Sequence, residues 1–379
     1  MDKCKMIHRI GLRLLADQPG ILQNVNRGSS KKSVACFTTL QTPKKPVPFN
    51  EMKKTYICNT KRYSSSKPKL ESVGKFETPK TEGRYETGQL FLHKVFGYRG
   101  VILFPWSAQL YERDKSDHTD GKDRVPEDGS SGKQVIARTL TYYQTLVDSR
   151  DCPHINAQSE AVTFLGNNER GQSLYTIPGL DYVSQEDILP YTTSEKIPIH
   201  HELFDKFLSY DPKSSKLPQA TKTLITWQEK NHMCLELSKV HQETTGDIRV
   251  TAMPFFLGAK DNQNMHEYWW RYLIRIENFS NTTVQLRERH WKTYEVHTGR
   301  LGTISGRGVV GLEPVLSKQQ PAFQYSSHVS LHSPTGHMWG MFRMERPDGT
   351  QFDVRIPAYA LESKIDPNSD NGPHGYHGS

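Results

Sequence analysis

The sequence predicts a mainly β protein: a small β-barrel, a short helical connector, then a β-sandwich. Three observations carry this. Turn formers are abundant, with 27 Gly and 22 Pro in 379 residues and only 35% apolar content. Apolar residues mostly alternate in short runs, most plainly Tyr268, Trp270, Tyr272, Ile274 and Ile276 against Arg271 and Arg275. Beyond the N-terminal segment, helical periodicity is confined to one stretch near the middle of the chain. The length has room for two ordinary domains, each able to bury a core.

Charge is distributed unevenly. Residues 1–69 hold 15 Lys or Arg against Asp2, Asp17 and Glu51, whereas the remainder holds 34 basic and 38 acidic side chains. The pI of about 9.0 therefore belongs to the N-terminal segment, and a mildly acidic body argues against direct nucleic-acid binding. In residues 5–15 Lys5, Arg9 and Arg13 form one helical stripe beside Met6, Ile10 and Leu14. With the acid-poor, Ser- and Arg-rich run that follows, residues 1–63 read as a mitochondrial transit peptide, cut between Tyr63 and Ser64 two positions after Arg62. The expected destination is the mitochondrial matrix. No run of eighteen apolar residues occurs, so no membrane-spanning helix is expected. Cysteines 4, 36, 58, 152 and 234 show neither C-x-x-C nor ligand spacing, so neither a disulfide framework nor a metal site is expected.

Residues 71–195 are expected to form the barrel. Apolar runs within 86–104 flank Phe96-Gly-Tyr-Arg-Gly100, a hairpin connection. Further strands are expected at Tyr142–Asp148 and near Ala161–Leu165. Residues 114–133 are polar, Gly- and Asp-rich and aperiodic, and read as a mobile insertion. The blocks Gly88-Gln89, His93–Ile102, Tyr143–Asp148 and Tyr182–Ile188 resemble the YccV/HspQ domain. That resemblance implies an SH3-like barrel. It also implies an association with hemimethylated DNA or with delivery of substrates to proteases. Gln89-x-x-Leu92-x-x-Val95-Phe96 approximates a sliding-clamp-binding box, but Val95 replaces an aromatic and the segment reads as a core strand.

Residues 196–240 are the connector. Leu203/Phe207 and Phe204/Leu208 predict a helix over Ile199–Tyr210, ended by Asp211-Pro212, and a second helix is expected over about Thr221–Leu237. Residues 241–362 are the sandwich, of immunoglobulin or fibronectin-III type, with seven or so strands and a tight turn at Arg346–Thr350. Residues 363–379 are expected to be a disordered tail. The blocks Val284–Leu286, Arg289–Trp291, Gly306–Gly311 with Glu313–Val315, Phe323–Ser326, Pro334–Met341 and Phe352–Leu361 resemble ApaG.

The order of basic leader, YccV/HspQ-like half and ApaG-like half resembles a family of two-module proteins that bind DNA polymerases. The resemblance takes in Tyr175–Tyr191, His201–Phe207 and Trp227–His232 and is close over residues 71–362. It implies partners: the accessory subunit of DNA polymerase delta, the sliding clamp, primase-polymerase and other lesion-tolerant polymerases, and the mitochondrial Clp protease. It further implies stimulation of DNA damage tolerance and a nuclear pool beside the matrix one.

Catalytic signals are few. Cys152-Pro-His154 puts a thiol near an imidazole in sequence only, and no G-x-S-x-G, Walker or H-E-x-x-H motif occurs. The pattern of Arg287–Trp291 is read as a strand with Arg289 and Trp291 on one face. Gly306-Arg307-Gly308-Val-Val-Gly311 spells G-x-G-x-x-G, but Glu313-Pro314 opposes a following helix and no β/α alternation surrounds it. The glycines are expected to permit sharp bends at a sandwich edge. Gly306, Arg307, Gly308 and Gly311 then form an interaction loop, on a non-catalytic, cofactor-free monomer that docks other proteins. The competing readings are a nucleotide- or phosphate-binding enzyme using that loop, and a direct DNA binder.

Overall fold

The computed structural model describes residues 73–113, 136–157, 162–168, 171–211, 213, 217–262 and 265–363. The cleavage site at Tyr63 and Ser64, the insertion 114–133 and all but the first residue of the tail lie outside them.

The first half contains β1 (Lys75–Phe76), β2 (Leu90–His93), β3 (Arg99–Arg113), β4 (Ile136–Val147), β5 (Val162–Asn168), β6 (Gly171–Ile177), β7 (Leu180–Ser184) and β8 (Ile188–Thr192). The anticipated hairpin joins β2 to β3. Strands β8, β2, β3, β4 and β7 follow one another in hydrogen-bonded order. The ring is not closed by a ladder, because a 3-10 turn, Gln185–Asp187, carries the chain from β7 to β8. The barrel is therefore open at that seam. Its core is Tyr85, Phe91, Tyr98, Ile102, Tyr143, Val147, Val183 and Ile188.

His93 ends β2 and holds the hairpin turn. Its Nδ1 accepts from the Val95 and Phe96 amides at 3.1 and 3.2 Å, so the neutral ring is required. Burial drives its pKa down to about 3. An unfolded histidine takes a proton below about 6.5, so His93 stability is full above that value and is lost as pH falls from about 6.5 towards 3. Between pH 7 and pH 5 this group alone is expected to remove about 2 kcal/mol. Denaturant titrations at both pH values check this. His93→Asn, which keeps an acceptor near Nδ1, should lose that part of the difference; an unchanged difference would refute the assignment.

The connector differs from expectation. Of the helix expected over Ile199–Tyr210 only one turn forms, α1 (Phe204–Phe207), followed by β9 (Leu208–Ser209). The Phe207 carbonyl accepts from the Thr221 amide and hydroxyl, and β9 pairs with β10 (Gln219–Ala220), so the helical ladder cannot continue. Leu203, Phe204, Phe207 and Leu208 are all buried; their spacing reported burial rather than helix length. The second helix, α2 (Lys222–Leu235), forms as expected, capped by Thr221 accepting from the Leu224 amide. It is anchored by Trp227 Nε1 donating to Gln144 of β4 at 2.9 Å.

The second half contains β11 (Ser238–Thr245), β12 (Ile248–Asn262), β13 (Met265–Asn278), β14 (Val284–Glu295), β15 (Leu301–Arg307), β16 (Val315–Leu316), β17 (Ala322–Leu331), β18 (Thr335–Glu345) and β19 (Gln351–Glu362). Sheet order is β11-β12-β13-β17 on one side and β15-β14-β18-β19 on the other, with β16 also on β14. Trp270, Tyr272, Ile274 and Ile276 of β13 face Trp291, Phe342, Val354 and Ile356 in the core between them.

One ladder has no local signal in the sequence. β11 pairs in parallel with β3, Ser238–Glu243 against Ala108–Arg113, so a single ten-stranded sheet runs from the first half into the second. The other face of β13 is thereby buried against the first half. Arg271 lies 5.1 Å over the Tyr182 ring and 4.8 Å over Phe255, and Arg275 reaches Asp187 at 2.6 Å.

Candidate interaction site

The glycine motif lies at the end of an edge strand. Gly306 and Arg307 complete β15, opposite Arg289 and Glu288 of β14. The chain then closes on itself: Val309 and Leu312 exchange both backbone hydrogen bonds at 2.8 Å around Val310 and Gly311. Positive φ at both central residues, 45° and 80°, is the I′ turn geometry. Valine is poorly suited to that region, which costs on the order of 1–3 kcal/mol and needs surrounding contacts to hold it. Buried Val309 supplies one anchor. Gly308 is required twice over, by its φ of 57° and because a Cβ would strike the Leu312 carbonyl.

An arginine and carboxylate chain braces the turn. Arg287 binds Glu345 through two nitrogens at 2.9 and 3.1 Å and Glu313 at 2.9 Å; Glu313 in turn binds Arg307 at 2.8 Å. The hydrogen bond from Arg287, and behind it the Arg307 charge, hold the Glu313 carboxyl below its ordinary range. Arg289 crosses β15 where Gly306 has no side chain, and its Nη1 donates to the carbonyls of Arg307 and Gly308 at 2.9 and 2.7 Å. As expected, Arg289 shares the inward face with buried Trp291; a bulge after Leu286 sets that phase.

The motif lacks the turn-to-helix geometry of a dinucleotide cradle. The Gly308, Val309 and Leu312 amides donate to the Arg287, Leu312 and Val309 carbonyls, and β16 follows rather than a helix. What the site offers is an apolar, cation-flanked surface. Leu301, Ile304, Val310, Leu312 and Val315 are 59, 50, 39, 54 and 43% exposed along this edge. The structure thus brings together all four residues of the expected loop. It adds Arg287, Arg289, Glu313 and Glu345, which the sequence did not mark as part of that loop.

The other sequence candidates fall elsewhere. Cys152 and His154 lie in a 3-10 turn, where the Cys152 thiol donates to the Asp148 carbonyl at 3.6 Å. The clamp-box-like segment is β2 and its turn, with Gln89 buried and donating to the Leu90 carbonyl. Among the described residues no cluster of His, Cys, Asp and Glu could hold a metal, and no helix is long and apolar enough to cross a membrane.

Comparison with known proteins divides the chain as the fold does. Residues 83–214 match the family described as "Hemimethylated DNA-binding protein YccV like", and residues 258–346 match the ApaG domain family. Over 325 residues the chain is 58% identical to polymerase delta-interacting protein 2 of Mus musculus, covering 84% of this chain and 87% of that protein. The Homo sapiens protein gives the same figures. Protein ApaG of Paramagnetospirillum magneticum is 40% identical over 124 residues, 33% of this chain and 94% of that protein.

Proposed function

Because the chain belongs to the polymerase delta-interacting protein 2 family, we propose that it is a non-catalytic adaptor that binds DNA polymerases and modulates their work at damaged templates. The observation carrying this reading is identity running through both modules, 58% over 84% of the chain, so the pair is inherited as a unit. The structure gives a physical reason for keeping them together. A shared sheet and a buried ion cluster set one module against the other, which makes a rigid platform for large partners. Its partners in this reading are the accessory subunit of polymerase delta, the sliding clamp, primase-polymerase and other lesion-tolerant polymerases. The amphipathic, cationic N-terminal segment supports a matrix location, where the YccV-like half suits work beside the Clp protease; a second pool acts in the nucleus.

Purified full chain, immobilised, is expected to retain purified polymerase delta. It should also increase primer extension past a template lesion by several-fold. The absence of both retention and any change in extension would sink the adaptor reading.

A further inference from the structure

We propose that the outer edge of β15 takes up an extended segment of a protein partner as an added strand, and that this segment alternates aliphatic with small polar residues and carries a carboxylate at each end. The inference rests on the adaptor reading and gives it a surface.

The ladder decides which groups are free. Gly308 donates to the Arg287 carbonyl and Glu295 to the Arg300 carbonyl. With the register between them, the even positions 302, 304 and 306 therefore bond to β14. The N–H and C=O groups of Leu301, Thr303 and Ser305 point away from it, and β15 has no second strand among the described residues. At the far end Arg289 occupies the Arg307 carbonyl, which bounds the open stretch.

Natural sheets guard such edges with proline, lysine or an inward charge. β15 reads Leu-Gly-Thr-Ile-Ser-Gly-Arg and has none of these before its last residue. Instead Ile304 stands between Gly302 and Gly306 on the side facing the core, which leaves room beside it for aliphatic side chains of an added strand. Exposed Val310 and Leu312 continue the apolar surface past the turn.

Charge selects the occupant. Residues 287–313 carry Arg287, Arg289, Lys292, Arg300 and Arg307 against Glu288, Glu295 and Glu313. Glu295 is buried, and Glu313 is shared by two arginines. Arg300 and Arg307 bracket the strand and exposed Lys292 lies opposite Thr303, so carboxylates at the ends of the added segment are complementary.

The test uses the full chain and a fluorescein-labelled eight-residue peptide alternating valine or isoleucine with threonine, with glutamate at both ends. Binding is expected to protect the Thr303 and Ser305 amides from hydrogen exchange and to weaken as salt rises. Thr303→Pro removes an outward donor without touching the β14 ladder, so the melting temperature should hold while affinity falls at least tenfold. Leu301→Lys with Ile304→Lys should do the same by guarding the edge. The proposal is overturned by absent peptide binding, by protection elsewhere, by full affinity in both folded variants, or by a dimer of this chain that already protects these amides. If polymerase delta is retained but the peptide is not, only this proposal fails; if polymerase delta is neither retained nor altered in primer extension, the adaptor reading fails.

Discussion

Arg275→Ala is expected to destabilise the protein by about 3–5 kcal/mol, the loss typical of breaking a buried ion pair from one side. Arg275 donates to Asp187 at 2.6 Å and to Glu277 at 2.8 Å, and its guanidinium lies 5.3 Å over the Phe96 ring. Asp187 belongs to the 3-10 turn at the open barrel seam, whereas Arg275 and Glu277 belong to the sandwich, so the cluster ties the halves together. Burial, the largest single effect, would raise the Asp187 carboxyl, but the Arg275 charge together with nearby His93 and the hydrogen bonds from Arg275 and Ser184 outweighs it, and the pKa is about 2. That contribution is present above the unfolded value near 3.9 and is lost as pH falls from there towards 2. The alanine variant leaves two buried carboxylates, only one of which keeps a cation, Arg249 at 2.9 Å from Glu277. Calorimetry is expected to show the loss, and Asp187→Asn in the Arg275→Ala background should recover part of it. A variant within 1 kcal/mol of the parent would show that the cluster does not couple the halves.

Trp291→Ala is expected to lose about 3–5 kcal/mol, the usual range for emptying a large aromatic site in a core. Trp291 is 2% exposed and packs against Tyr272 of the facing sheet and against Phe342 and Tyr359, at ring separations of 5.4, 6.2 and 6.4 Å. It spans the sandwich. It also lies opposite Ile304, so the cavity would open directly beneath the edge strand. Denaturant unfolding should show the loss, and Trp291→Phe should retain more than half the stability. Hydrogen exchange should show faster opening of β15 than of β18 in the alanine variant. Equal opening across the sheet would place the cavity's effect elsewhere.

Much of the fold was legible in residue patterns. Alternation in β13 named the core residues Trp270, Tyr272, Ile274 and Ile276, because a strand with one face in a core must repeat every two residues. The glycine motif read as a bend because proline follows it, and its φ values agree. The helix over Ile199–Tyr210 misled, since apolar residues at i and i+4 record only that they share a buried surface. Nothing local announced that the Phe207 carbonyl would be taken from a distance by Thr221.

The sequence by itself determined the β class, the two modules, their order, and which face of each strand is apolar, because these follow from side chains within a few residues of one another. Only the tertiary structure decided that β3 and β11 pair, that Arg271 is buried, and that Arg275 is largely enclosed and ion-paired rather than solvated. It also decided that β15 keeps one edge free. Each of these depends on contacts between segments far apart in the chain. Residues such as Ser238 and Ala108 carry no local mark of the partner they meet.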